Sequence, residues 1–143
     1  MGDERFCHLT VSTLGEAAWA TGQALRFSLQ SGLSLHEAWA VATAVSELVT
    51  NAVKYAAGGR LSMRRPAGPP ACVEVLIEDD GPGMRATRGA HPHRGLGQGL
   101  EAVGRLMDEL VVRDRVPHGT LARCLKRHRP GGDRWDQEPC AIA

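Results

Sequence analysis

Two helix-like runs lie back to back between residues 14 and 56, and most of the strand-like segments follow them. That order constrains the fold more than any other feature. Alternating strands and helices build doubly wound parallel sheets. Clustered helices followed by strands predict an α/β sandwich, with the helices on one face of a mixed, mostly antiparallel sheet. The first run, residues 14–31, carries Ala17, Ala18, Ala20, Ala24, Leu25, Phe27 and Leu29, and Gly32 ends it. The second opens at Ser34 with Glu37 three residues on, a capping box in which each side chain satisfies a backbone N–H near the other residue. Leu35, Ala38, Trp39, Ala42, Val45, Val49, Ala52, Val53 and Ala56 then form an apolar stripe, and Gly58-Gly59 stop the helix.

Strands are expected at 6–12, 60–65 and 72–80, with two more at 111–115 and 120–128 about a VPHG turn. A third helix is expected over 100–110, where Leu100, Val103, Met107 and Leu110 line up. Between strand and helix, residues 80–99 read as a long loop rich in Gly, Pro, Arg and His, and loops of that length are usually functional or disordered.

A chain of 143 residues can bury one real core. Residues 1–128 are expected to form that domain and 129–143 a mobile tail. The net charge is +1 with no block of like charge, which gives no sign of a nucleic-acid partner. No apolar run approaches the roughly 20 residues needed to span a bilayer, so no membrane association is expected. The start, MGDERF, carries no secretion signal, and the four cysteines are far apart with no C-x-x-C pair. Together these imply a reduced, cytoplasmic protein.

Three local features point to chemistry. In SELVTNAVKYA, residues 46–56, Glu47, Asn51 and Lys54 are spaced by four and then three, so they share one helix face. In CVEVLIEDD, strict alternation puts Asp79 on the same face as Val73, Val75 and Ile77, while Glu74, Leu76, Glu78 and Asp80 take the other. A carboxylate on the helix-covered face needs a partner, because an unpaired buried charge is costly. Gly81 and Gly83 follow it and lack bulk where a ligand would approach. In GLGQGL, Gly95, Gly97 and Gly99 crowd the entry to a helix, where backbone N–H groups can cradle phosphate. No G-x-x-x-x-G-K-[ST] is present, and GLGQGL is not G-x-G-x-x-G. His91 and His93 lack an evident third metal ligand.

Taken in order, these pieces resemble the GHKL, or histidine-kinase-like, ATPases. SELVTN resembles the family's N box, DDGPG at 79–83 its first glycine box, and GLGQGL its second. Gly119-Thr120 resembles its final nucleotide element. The likeness covers about residues 6–127 and is nearest to the small anti-sigma-factor serine/threonine kinases, in the switch-kinase branch of bacterial stress-signalling modules. It implies a Bergerat-type sandwich that uses ATP and Mg²⁺. It implies that Glu47 is the general base. Asn51 would be the magnesium ligand, with Lys54 near phosphate. Asp79 would accept from the adenine amino group, with Gly81, Gly83 and Thr120 beside it and Gly95, Gly97 and Gly99 at the phosphates. The implied activity is phosphorylation of Ser or Thr on a STAS-domain antagonist, in a partner-switching circuit that controls a sigma factor or a phosphatase. The alternative is an anti-sigma binding protein with ATP as a regulatory ligand. Gln98 and Glu101 depart from the family pattern, as does the basic segment between Gly83 and Gly95, which the resemblance makes a lid.

Overall fold

A computed structural model describes residues 4–83 and 96–131. Strand β1 spans Arg5–Val11, helix α1 Leu14–Gln30 and helix α2 Leu35–Ala56. Strands β2 (Gly59–Arg65) and β3 (Cys72–Asp79) follow, then helix α3 (Leu96–Leu106) and strands β4 (Glu109–Asp114) and β5 (Thr120–Arg127). The five strands run in the order β1-β2-β3-β5-β4, and every pairing between them is antiparallel. The helices cover one face, with α2 in the middle against α1, α3 and strands β2, β3 and β5. The sandwich expected from the clustered helices is the observed fold.

Strand register explains the core. The row Cys7, Met63, Val75, Cys124 and Leu110 crosses all five strands. The next row on that face, two residues along, is Leu9, Leu61, Ile77, Ala122 and Val112. Period-2 alternation turns both rows toward the helices, where Val41, Val45, Val49 and Ala52 of α2 meet them with Ala20, Ala24 and Phe27 of α1 in one buried cluster. Burial pushes the Cys124 thiol up to about 12, so it sits here as a small hydrophobe rather than a nucleophile.

The capping box at Ser34 and Glu37 is formed. Glu37 also accepts from His128 Nδ1 and from the Arg129 N–H, both at 2.8 Å, which ties the start of α2 to the chain just beyond β5. Two expectations need correction. Leu35 and Trp39 are 59% and 53% exposed, so the buried stripe of α2 excludes them. It runs instead through Ala38, Val41, Val45, Leu48, Val49 and Ala52. The third helix begins at Leu96 and ends at Leu106, earlier at both ends than the 100–110 pattern suggests. Leu110 belongs to β4, where it pairs with Cys124. The expected lid, its histidines, Gly95 and the tail beyond Gly131 lie outside the described residues.

Candidate functional site

The two apolar rows across the sheet are followed by a polar one. Beyond Ile77, Ala122 and Val112, the next rung on the same face is Asp79, Thr120 and Asp114. A cleft opens there between sheet and helices. Its walls are Leu48, Asn51, Ala52 and Tyr55 of α2 and Leu100 of α3. Ile77, Val112 and Ala122 form its sheet side, and Asp79, Pro82, Gly83 and Thr120 close one end. An apolar slot with a few converging polar groups is the usual form of a small-molecule site.

Asp79 is held in place by backbone. Its Oδ1 accepts from the Gly81 N–H at 3.0 Å and from the Thr120 N–H at 3.2 Å. Among the described residues, no hydrogen bond reaches its Oδ2. Asp80 points the other way: it accepts from Arg60 and Arg115, both at 2.9 Å, and those bonds hold its carboxyl below the usual range. Strand parity thus separates the two neighbouring carboxylates, one in the cleft and one in a surface ion network. Gly119 makes the first of these arrangements possible. Its φ is +106°, and a Cβ there would run into the Asp79 carbonyl. Gly81 lies against α2, where a Cβ would come 2.5 Å from Ala56 Cβ.

The helix face carrying Glu47, Asn51 and Lys54 divides along its length. Asn51 lines the cleft, whereas Glu47 and Lys54 are exposed and outside it. Glu47 stands instead against the first turns of α3: a Cβ on Gly99 would sit 2.8 Å from Glu47 Oε2. Gly99 is therefore a point of close approach between two helices. Gly97 and Gly99 belong to the helix rather than to a loop before it. Of the residues singled out in the sequence, Asn51, Asp79, Gly83 and Thr120 share the cleft, with Gly81 at its edge.

Sequence reasoning missed three things. Tyr55 and Val112 line the slot, and nothing in the sequence singles them out. Asp114 completes the polar rung, and its Oδ1 lies 2.9 Å from where a Gly83 Cβ would be. Arg115 donates to both the Asp79 carbonyl and Asp80 and so braces the end of β3. The only signal for this pair is the placement of Asp114-Arg115 at a hairpin opposite Thr120, which shows once the register is known.

The fold and cleft define a nucleotide-binding module of the GHKL type. Residues 12–126 match the histidine kinase-like ATPase domain family, and the chain belongs to it. Among curated proteins it is similar to the serine/threonine-protein kinase RsbT of Bacillus subtilis (strain 168). The two are 34% identical over 92 residues, an alignment covering 60% of this chain and 69% of RsbT. Among solved structures it resembles the histidine kinase domain from the Erythrobacter litoralis EL346 blue-light activated histidine kinase, with a TM-score of 0.50. That match covers 82% of this chain and 67% of the other at 20% identity, and it bears on the fold alone. The family resemblance drawn from four ordered motifs is borne out, including its small serine/threonine kinase branch. No described helix is long and apolar enough to cross a membrane.

Proposed function

We propose that this protein is an ATP-dependent serine/threonine kinase. Its substrate is a STAS-domain antagonist in a cytoplasmic bacterial partner-switching pathway that controls a sigma factor or a phosphatase. In this reading the ATPase domain is residues 1–128, and 129–143 is a tail beyond it. One observation carries the proposal. Helix α2 puts Asn51 in the wall of an Asp79-floored cleft and Glu47, one turn earlier, outside it where a second protein can reach. A pure binding module has no need of an exposed acid one turn from the phosphate end.

The residues fit the nucleotide. The slot between α2 and the sheet suits a flat heterocycle, and the free Oδ2 of Asp79 suits an exocyclic N–H donor. Thr120 and Gly81 hold that carboxylate through their N–H groups, and Gly83 leaves room beside it. The phosphates then run along α2 toward the first turn of α3, where the Gly97 N–H is among the backbone donors left open by the helix.

The residues also fit magnesium. Asn51 offers a neutral oxygen, and among the described residues no three His, Cys, Asp or Glu side chains gather to hold a metal. That donor set suits an ion that takes most of its oxygens from phosphate. When bound, Mg²⁺ supplies charge neutralisation at the phosphates. Glu47 accepts the proton of the incoming Ser or Thr hydroxyl as that oxygen bonds to the γ-phosphorus and the bond to ADP breaks. Most of the remaining catalysis is positioning.

The test combines labelled ATP with a STAS protein from the same genome. Glu47→Ala is expected to lower transfer by about 10²–10⁴-fold while ATP affinity stays within about twofold. Asn51→Ala is expected to lower both. A wild type that binds ATP and the STAS protein but never labels it would replace the kinase by an anti-sigma binding protein with ATP as regulator.

A further inference from the structure

Helices α1 and α2 carry several large apolar side chains on their exposed surface. Among the described residues, five of the eight exposed large hydrophobic side chains lie on these two helices: Leu14, Trp19, Leu29, Leu35 and Trp39. On α2 the row is continuous. Leu35, Trp39, Thr43 and Glu47 are spaced by four, so they follow one ridge that winds by about 40° at each step, and all four are exposed. Trp39 therefore lies two turns, roughly 12 Å, along the axis from Glu47. Trp19 is 56% exposed on α1, which packs along α2. Leaving two tryptophans half in water forgoes a large burial, since each can remove roughly 150–250 Å² from solvent. Tryptophan is also the side chain most enriched where binding energy concentrates.

From this placement we infer that the Leu35–Trp39 ridge is the docking surface for the phosphoacceptor protein. The inference rests on the kinase reading above. A folded protein that brings a hydroxyl to Glu47 must lie over the exposed row of α2, and the ridge is the apolar end of that row. The partner's complementary feature is an apolar patch roughly 12 Å from its Ser or Thr. Thr43, between ridge and acid, is a small polar residue over which the partner surface can pass. A membrane is the poorer occupant, because the row carries Glu47 and no Lys or Arg from Leu35 to Glu47.

The experiment measures binding of a STAS protein from the same genome to wild type, Trp39→Ala and Trp39→Phe by calorimetry, with a non-hydrolysable ATP analogue present. Trp39 is exposed, so the variants should keep the wild-type Tm and ATP affinity, which are measured in parallel. Trp39→Ala is expected to weaken partner binding by about tenfold or more, with most of the loss recovered in Trp39→Phe. In transfer assays the same variant should raise KM for the partner and spare kcat. Partner binding unchanged in Trp39→Ala overturns the inference. So does a concentration-dependent dimer that Trp39→Ala abolishes while partner binding persists, which would assign the ridge to a second copy. A wild type that binds no STAS protein overturns the ridge and the partner together. One that binds through Trp39 but never transfers phosphate overturns the kinase reading alone and leaves the ridge standing.

Discussion

Glu37→Gln is expected to destabilise the fold by about 2–3 kcal/mol at neutral pH, although Glu37 lies far from the cleft in sequence and function. Glu37 is 7% exposed. Burial alone would push its pKa up. Bonds from the His128 ring and from the Ser34 and Arg129 N–H groups outweigh that effect and hold it at about 2, against an ordinary value of 4.5. A difference of that size corresponds to about 3 kcal/mol of preference for the charged form. Glutamine keeps the shape but replaces one acceptor oxygen with a donor, so one of these bonds is lost and another is weakened. For a chain of this length the Tm should fall by about 6–12 °C. Because the folded pKa is depressed, the carboxylate's contribution is complete above 4.5 and is lost as pH falls from there through about 2. Urea unfolding of wild type and variant from pH 7 to about pH 3 checks both points. The gap between them should be constant at the upper end and shrink steadily below 4.5. Equal stabilities at pH 7, or a gap that persists undiminished at about pH 3, would refute the account of how α2 is anchored.

Asp79→Asn should weaken ATP binding by about 10–100-fold, because a bond from the adenine amino group to a carboxylate is charge-assisted. Asp80→Asn should change ATP affinity by less than about twofold, since the exposed Asp80 is engaged by Arg60 and Arg115; calorimetry on both variants decides. Gly99→Ala should raise stability by about 0.5–1 kcal/mol through helix propensity yet slow phosphate transfer, because the new methyl displaces the Glu47 carboxylate. Thermal melts and labelled-phosphate assays on the same preparation read the two effects, and transfer at the wild-type rate would show that the contact does not position Glu47.

Much of the architecture is legible in local pattern. Ser34 and Glu37 announce the start of α2, and the alternation of CVEVLIEDD correctly separates Asp79 from Asp80, because period 2 leaves no choice of face once Val73, Val75 and Ile77 are buried. The errors arise where tertiary contact overrides local preference. Three glycines in five residues argue for a loop, yet Gly97 and Gly99 lie inside α3, and the bare Gly99 comes up against Glu47. Leu35 and Trp39 are apolar and helix-phased, so pattern assigns them to the core; only the packing of α2 shows that the buried row runs beside them. Asp114 and Arg115 join the site through pairing with residues more than 30 positions upstream, and nothing local marks such a partner.

Strand β5 is the last described element of the chain but not an edge of the sheet. It lies between β3 and β4, supplies Thr120 to Asp79, and leads into the residues that fasten α2. As the chain leaves the ribosome, α1, α2 and the β1-β2-β3 meander can assemble early, but β3 keeps an open edge until residue 127 is available. The nucleotide cleft and the stable sheet are therefore completed by the same late event. A nascent chain halted before β5 would expose a hydrophobic strand edge and could not use ATP, whereas one that binds nucleotide has necessarily finished its sheet.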